Sequence, residues 1–472
     1  MPLILSGNVA TATADVGYSV ANSCRLNQAD SPKMTRVNPS EDSTDQDEGT
    51  YSWWMKPTTE SDTQYIITVE KDNERFLWYY NNNTFAGGYR DSDSSPDIDF
   101  VIDPAAVFRD PAAWYHCVLA HDTDQATAAN RLRFYVNNVE YTVTQSAELP
   151  SGQVLPQNKN AFDKTTLFAT SAGGDNFDGY IAEFVFIDGQ QLTPSSFGEY
   201  SEDSPNVWMP KDVSELTFGN LGYYLDFEDS DNLGDDESGN GDDFSETNLA
   251  AADQATDSPT NNFCVMSPLY KHTNFTFSEA NCKMVTGGSD AYGGGIGTFG
   301  LTAGKWYWEV KIASTVGNHN HGAISELCPE LYDLTEHASA TGALQIKTGV
   351  TCWLNDDGGE VRVDGTATTA DYGIMADGSI MGIALDMDNY NISYYDDGTA
   401  LVTDFNMSTT RGTIFPFINT GVSTTTEVNF GGCSAFAISS AANDANGHGV
   451  FEHAPPSGYL ALCSKNLGSD GG

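Results

Sequence analysis

The chain has 472 residues, of which 39% are hydrophobic and 11% aromatic, a composition that can bury cores and argues against global disorder. It carries 66 acidic and 21 basic residues, which give a formal charge of −45 at pH 7. Such a surface repels phosphate backbones and anionic lipids, so we expect neither a nucleic-acid partner nor a membrane partner. The length predicts about two to four domains.

Eight cysteines are scattered along the chain without a CxxC pair, which argues against zinc ribbons and redox motifs. Some lie in strand-like runs, such as Cys117 in WYHCVLA, where a buried thiol is the expected state, although the even count leaves disulfides open. The N-terminal stretch lacks a basic region, and its apolar run ends after four residues, so no signal peptide is predicted. We therefore expect synthesis in a cytoplasm and release by a route such as lysis.

The first half of the chain predicts short strands at regular spacing. TYSWWMKP alternates Tyr51, Trp53 and Met55 with more polar neighbours, the period of a half-buried strand. RLRFYVNNVEYTV alternates in the same way and contains a two-residue hairpin signal at Asn137–Asn138. These runs predict antiparallel pairs.

GYIAEFVFIDG is apolar on both faces and predicts a central strand that is covered from two sides. Strict alternation predicts that Tyr180, Phe184 and Phe186 lie on one face of this strand. It places Ile181, Val185 and Ile187 on the opposite face. No stretch sustains an apolar stripe of period 3.6 over three turns, so helices should be few and short.

Residues 211–267 are polar, acidic and rich in turn residues, and they predict a connector. The stretch 226–244 alone holds nine acidic residues. An EF-hand that starts at Asp229 would place Leu233 at its fifth position and Asn240 at its twelfth, where the motif needs an oxygen ligand and a Glu. A looser calcium site is an alternative to a solvated turn-rich segment, and its ligands would be Asp229, Asp231, Asp235 and Asp236.

Strand texture returns in GKWYWEVKI, which directs one set of side chains to a core: Trp306, Trp308, Val310 and Ile312. SIMGIALDMDNYNISYYDDG predicts a second hairpin that reverses near Asp388–Asn389. The predicted fold class is all-β, with two β-sandwich modules of jelly-roll type in series, joined by the acidic connector.

Two resemblances follow from these motifs. GLTAGKWYWEVKI, GIALDMDNYNISYYDDG and FPFINT, in this order, resemble the SPRY domain, whose β-sandwich carries a protein-binding surface. AWYHCVLAHD, RLRFYVNNVEY and FDGYIAEFVFIDGQQLTPSSFGE resemble a laminin-G or concanavalin A-like jelly roll. Together with YYLDFEDSDNLGDDESGNGDDF and PPSGYLALCSKNL, they are similar to fibre-like virion proteins of bacteriophages.

The phage resemblance implies a structural protein on the virion surface, a head or tail fibre or appendage whose lectin-like modules attach to the host surface. It implies other virion proteins and host glycans as partners, and a homo-oligomer, a trimer by analogy with fibres. The alternatives are a capsid decoration or cement protein and a polysaccharide depolymerase. The resulting domain prediction is an N-terminal segment, a jelly roll, a connector, an SPRY-like sandwich and a tail: 1–17, 18–210, 211–267, 268–433 and 434–472.

Enzymatic chemistry finds little support in the sequence. Laminarinases share the jelly-roll fold and need paired carboxylates beside the scissile bond. YLDFED offers Asp226 and Glu228, and Glu183 is isolated in an apolar strand, but the laminarinase pattern Glu-x-Asp-x-x-Glu is absent. We therefore expect no enzymatic activity and no required cofactor.

Three weaker motifs remain. The HNH run at His319–His321, with Glu326 and Cys328 nearby, supplies imidazoles for a transition metal but too few ligands within one chain, and an exposed loop is the alternative. GGGIGTFG is predicted to be a glycine-rich turn rather than a phosphate loop. The aromatic runs at 76–83 and 394–398 could stack on sugars or alternate into hairpin cores.

Overall fold

The computed structural model describes residues 17–37, 42–59, 62–91, 97–102, 108, 110–159, 164–202, 204–271, 275–287, 293–314, 320–325, 350–354, 359–364, 366–368, 370–407, 412–420 and 424–470. These residues form two compact units, which divide between Thr260 and Asn261. Both units are β-sandwiches, so the predicted all-β class and its two modules are confirmed.

The first unit contains eighteen described strands: β1 Ser23–Leu26, β2 Lys33–Arg36, β3 Glu48–Pro57, β4 Gln64–Lys71, β5 Glu74–Asn81, β6 Thr84–Asp91, β7 Ile98–Ile102, β8 Tyr115–Asp122, β9 Leu132–Val136, β10 Val139–Tyr141, β11 Val143–Gln145, β12 Lys164–Leu167, β13 Gly179–Asp188, β14 Gly198–Tyr200, β15 Trp208–Pro210, β16 Tyr223–Leu225, β17 Ser245–Thr247 and β18 Gln254–Ala255. Short 3-10 turns occur at Gln28–Asp30, Ala128–Asn130, Pro156–Asn158, Pro194–Ser196 and Ala251–Asp253.

Two antiparallel sheets enclose the core of the first unit. Sheet A has the order β10-β9-β8-β3-β13-β1-β18, with β16 also paired to β13. Sheet B has the order β11-β7-β6-β5-β4-β12-β2-β17. The facing sides of the sheets bury one apolar cluster, in which Tyr51, Trp53 and Met55 of β3 meet Trp78 of β5. The alternation predicted for TYSWWMKP is therefore confirmed.

The Asn137–Asn138 hairpin is also confirmed. Both residues have positive φ, 47° and 65°, and β9 pairs with β10 directly across them. Positive φ at both central positions is the geometry of the type I′ turn, which Asn tolerates well and which matches the twist of paired strands.

The prediction for β13 is wrong in one respect. A β-bulge interrupts its pairing with β3 between Ala182 and Val185, and Glu183 within the bulge has φ +50°. Because a bulge adds one residue to the strand, it shifts the alternation. Ile181 therefore joins Phe184 and Phe186 in the core, whereas Tyr180, assigned to that set, lies outside it.

The outer face of sheet A is covered by the chain that follows β13. Val185 and Ile187 pack there with Phe197, Phe218 and Tyr224 in a second apolar cluster. The two-sided burial predicted for β13 is thus correct, and its cause is the returning chain rather than a second sheet.

Residues 211–260 do not form a separate connector. β16 pairs with β13, β17 with β2 and β18 with β1, so this segment belongs to the first sandwich. Phe227, Leu233 and Phe244 anchor the acidic stretch in the core. The composition hides these anchors because they are widely spaced among polar turn residues.

The second unit contains sixteen described strands and one helix: β19 Met266–Lys271, β20 Phe275–Ser278, β21 Lys283–Thr286, β22 Gly293–Gly297, β23 Lys305–Ser314, β24 Asn320–Ser325, β25 Val350–Leu354, β26 Glu360–Val363, β27 Thr366–Ala367, β28 Ile380–Asp386, β29 Asn391–Asp396, β30 Thr399–Asn406, β31 Phe415–Thr420, β32 Thr425–Asn429, β33 Ala442–Asn443, β34 Val450–Phe451 and α1 Ser464–Asp470. No described helix has the length and apolar character needed to span a bilayer.

Two seven-stranded sheets form this sandwich. Sheet C has the order β19-β22-β31-β24-β25-β26-β27, and sheet D has the order β20-β21-β32-β23-β28-β29-β30. The side chains of β23 that were predicted to face the core are fully buried in it: Trp306, Trp308, Val310 and Ile312. β28 and β29 form the predicted hairpin. GGGIGTFG, predicted as a turn, instead supplies β22, which pairs with β31.

Residues 434–463 are not a free tail. They cover the outer face of sheet D, where Phe451, Tyr459 and Ala461 pack on Tyr307. Glu309, fully buried on the same face, accepts backbone N–H bonds from Glu452 at 2.9 Å and His453 at 2.8 Å. A carboxylate that accepts N–H bonds forms strong hydrogen bonds, so Glu309 fixes the returning chain to the sheet.

Of the six cysteines whose side chains the structure describes, five are buried and Cys433 is half-buried. Burial raises the pKa of the Cys117 thiol well above its ordinary value, as expected for a thiol that acts as a small apolar side chain. Cys24, Cys117, Cys264 and Cys282 lie in the sandwich cores or strands that build them, which agrees with the expected buried state.

Candidate functional site

The four carboxylates of the predicted calcium site have different environments. Asp229 and Asp231 are exposed, and Asp229 accepts the N–H of Asp231 at 2.9 Å. Asp235 is half-buried, and its pKa is raised by burial first and then by Asp243 and Asp229, which places these acids near one another. A cation would relieve this repulsion.

Asp236 has a structural role. It is buried, and its carboxylate accepts N–H bonds from Tyr224, Ser238 and Asp242 and the hydroxyl bond of Ser238. These bonds close the turn that carries the chain past β16. Within the described ranges, no group of three or more His, Cys, Asp or Glu side chains is placed to hold a metal ion. Calcium binding therefore stays a prediction, and Asp236 fits poorly as a ligand.

The HNH motif cannot be located fully. His319, Glu326 and Cys328 lie outside the described residues, and His321 belongs to β24. The metal hypothesis for this motif therefore also stays a prediction.

Glu183, the isolated acid of the sequence, is enclosed by tyrosines. It is 5% exposed, and its Oε2 accepts the hydroxyl bonds of Tyr224 at 2.8 Å and Tyr18 at 3.2 Å. The pKa of the carboxyl group is raised to about 8, mainly by burial and less by Asp226 and Glu228, while the two tyrosine bonds act against this rise. Because the carboxyl group is buried behind these two tyrosines, it is shielded from a polysaccharide at the surface.

The aromatic run at 76–83 is divided between core and surface. Phe76, Trp78 and Tyr80 are buried in the core, whereas Leu77 and Tyr79 point to the outer side of sheet B. Packing in the hairpin core is therefore confirmed for Phe76, Trp78 and Tyr80, and stacking on sugars stays a prediction for Tyr79. The run at 394–398 behaves similarly, because Tyr394 is fully buried and Tyr395 is half-buried on the outer side.

Sheet B presents an outer face whose side chains on β5, β6 and β7 are exposed or half-buried. Val101, for example, is 45% exposed, and Arg75 is also exposed. We call this surface the open face and define it by six side chains: Tyr65, Arg75, Leu77, Tyr79, Arg90 and Val101. The outer face of sheet A, by contrast, is covered.

An aromatic pair lies on the open face. The rings of Tyr65 on β4 and Tyr79 on β5 are 5.1 Å apart between centroids and tilted by 35°. Ala86 and Val101 follow in register on β6 and β7, which continues the apolar strip across the sheet. Half-buried tyrosines offer an apolar ring and a polar hydroxyl to a ligand.

Basic side chains lie beside this strip. Arg75 on β5 and Arg90 on β6 are directly opposed across the strand pair. Burial raises the pKa of Tyr65, and both arginines act against that increase, so their positive charges lie close enough to influence the tyrosine hydroxyl. The sheet thus combines aromatic surface with donors for an oxygen-rich ligand.

Arg90 is fixed in place. Its guanidinium donates to the Ile98 carbonyl at 2.9 Å and to the Asp99 carboxylate at 2.6 Å, and Asp97 lies 3.6 Å away. The side chain lies across Gly88, where a Cβ atom would overlap the guanidinium. A side chain at Gly88 would therefore displace the Arg90 guanidinium from this position.

The pairing of β5 with β6 could have been predicted from the turn residues that end the aromatic run. Asn82 and Asn83 both have positive φ, so a two-residue turn joins β5 to β6. Such a turn fixes the register, and it places Arg75 opposite Arg90 and Tyr79 opposite Ala86. The position of Tyr65 was not predictable in this way, because a bulge between Tyr65 and Ile67 shifts its pairing.

The fold and the open face define a two-unit, all-β protein with a lectin-like first sandwich. Residues 33–195 match the family described as Concanavalin A-like lectin/glucanases superfamily. Residues 305–433 match the SPRY domain. Both resemblances drawn from the sequence are thereby confirmed at the level of the domain.

Solved structures with similar folds include the SPRY domain of human HERC1, with 16% identity over 36% of this chain and 99% of that chain (TM-score 0.27). They also include the TRIM65 PSpry domain, with 14% identity over 35% and 89% (TM-score 0.28). A third is the Ruminococcus gnavus IT-sialidase CBM40, with 15% identity over 38% and 96% (TM-score 0.26). No curated protein matches the chain.

Proposed function

We propose that this chain is a non-catalytic attachment protein on the surface of a bacteriophage virion, and that its first unit binds host-surface glycans. The observation that carries the proposal is the Tyr65–Tyr79 pair on the open face of a concanavalin A-like domain. The apolar side of a pyranose ring packs on such rings, while sugar hydroxyls bond to neighbouring polar groups. The virion location is supported by the sequence resemblance to phage fibres.

The mechanism is weak binding made strong by repetition. A shallow sheet face offers one sugar few contacts, and each contact is individually weak. Several copies held together on a particle raise the avidity without any new contact. The SPRY-like unit is the natural candidate for holding the chain to other virion proteins, because a protein-binding surface is what that resemblance implies.

The test is binding of the purified full chain to a glycan array, together with competition against phage adsorption. Tyr79→Ala should weaken glycan binding about threefold to tenfold, the range expected for one aromatic contact. Tyr200→Ala is the control, because Tyr200 is also exposed, at 47%, but lies on β14 away from sheet B. Equal effects of the two variants would contradict the assignment of the site.

Two further measurements, disruption of the gene and an assay for released reducing ends, separate the alternatives. A cement protein would leave adsorption unchanged when the gene is disrupted and would yield fragile particles. A depolymerase would release reducing ends from a host polysaccharide. Either result would replace the attachment proposal.

A further inference from the structure

Of the two arginines on the open face, Arg90 is half-buried and Arg75 is exposed. Glu70 lies opposite it on β4, yet the ion pairs that the described residues form on this face belong to Arg90. Two arginines in direct opposition repel each other. Arg90 is held by Ile98, Asp97 and Asp99, whereas the side chain of Arg75 is exposed to solvent.

The open face is less acidic than the chain as a whole. Three basic side chains, Arg75, Arg90 and Lys164, lie on this side of the sheet, balanced by three acidic ones, Glu70, Asp97 and Asp99. The chain as a whole has about three acids for every base. An anion that approaches the protein therefore meets its weakest repulsion at this sheet.

The spacing along β5 favours a long ligand. Arg75, Leu77 and Tyr79 share the outer side of one strand, and alternate residues of a strand are about 7 Å apart. The donor and the aromatic pair are therefore separated by roughly 13 Å. A single sugar does not span this distance, whereas an extended oligosaccharide does.

We propose that the open face binds an anionic polysaccharide, with a carboxylate or sulfate group bonded to Arg75 and a sugar ring packed on Tyr79. The inference rests on the proposed glycan-binding function and adds the chemical class of the glycan. Arginine suits this role because its planar guanidinium can donate two parallel bonds to one oxyanion.

The experiment measures binding of the full chain to three immobilised probes of similar length: alginate oligosaccharides, dextran sulfate and neutral dextran. Arg75→Gln should weaken binding to the preferred anionic probe about tenfold, and Arg75→Lys should retain part of it because the charge remains but the bidentate geometry is lost. Arg133→Gln is the matched control, since it removes one positive charge from β9 of sheet A. It should leave binding unchanged.

Salt supplies an independent readout. The Debye length falls from about 30 Å at 0.01 M salt to about 10 Å at 0.1 M. Added salt therefore first screens the long-range repulsion from the acidic remainder of the protein, and only later the direct contact at Arg75. Affinity for the anionic probe should rise and then fall with salt, and Arg75→Gln should reduce the maximum.

Each outcome is decisive. Preference for alginate or for dextran sulfate identifies the anion as a carboxylate or a sulfate ester. Dextran binding that depends on Tyr79 but not on Arg75 overturns this inference and leaves the proposed function intact. Absence of binding to every probe and to the glycan array overturns both. Self-association that Arg75→Gln abolishes, without polysaccharide binding, would assign the face to a second acidic copy of the chain instead.

Discussion

Replacing Glu183 by Gln tests the enclosed carboxyl group of the first unit. Its folded pKa is about 8, against an ordinary value of 4.5. For an acid with a raised folded pKa, the associated stability is complete below pH 4.5 and is lost as the pH rises toward 8. Glu183 therefore makes the first unit less stable in alkaline solution.

The size of the effect follows from the pKa difference. At pH 7 the carboxyl group is ionised in the unfolded chain and neutral in the folded one, which costs about 3 kcal/mol of stability, and the cost reaches about 5 kcal/mol above pH 8. Gln stays neutral and still accepts the hydroxyl bond of Tyr224. We expect Glu183→Gln to be more stable than the parent protein at pH 9 and no more stable at pH 4.5.

The assay is urea unfolding of the full chain between pH 4.5 and pH 9, with hydrogen exchange of peptides from β13 and β16 to isolate the first unit. The difference in unfolding free energy between variant and parent should grow with pH. A difference that stays constant across this range would refute the reasoning, because it would mean that the carboxyl group titrates normally in the folded protein.

Two further predictions concern buried groups. His116 is stacked between Trp54 and Trp208, and burial lowers its pKa to about 3, so stability is complete above pH 6.5 and should fall by about 2 kcal/mol at pH 5. His116→Phe should remove this slope in a series of thermal melts, and an unchanged slope would contradict the assignment. Glu309→Ala should accelerate hydrogen exchange in residues 450–453 about tenfold, because two N–H bonds to its carboxylate are lost. Glu427→Ala, which removes only an ion pair with Lys283, should leave that exchange unchanged.

The strands of this protein could be predicted from the sequence because side-chain alternation is a local property. Alternating side chains in β3, β9 and β23 point to opposite sides whatever the rest of the chain does, so their core-facing sets were predicted correctly. The hairpin turn at Asn137–Asn138 was predictable for the same reason, because its backbone geometry depends on these two residues alone. The opposition of Arg75 and Arg90 was accessible by the same argument.

Only part of the candidate site could be predicted from the sequence. Alternation separates Tyr79 from its buried neighbours Trp78 and Tyr80, but it does not say which set faces the core or whether the other face is covered. On sheet A the outer face is buried, and on sheet B it is open. That difference depends on where residues 192–224 return, a non-local event with no signature in β5.

The sequence by itself determined two all-β units, their strand alternation and their hairpin turns, because these follow from side-chain period and backbone preference within a few residues. Tertiary structure alone decided the bulge at Glu183, which exchanges the sides of neighbouring residues of β13, and the docking of residues 211–260 and 434–463 onto the sheets. These features depend on contacts between segments far apart in the chain. Their energies come from burial and from enclosed carboxylates such as Asp236 and Glu309, whose partners only the fold brings near.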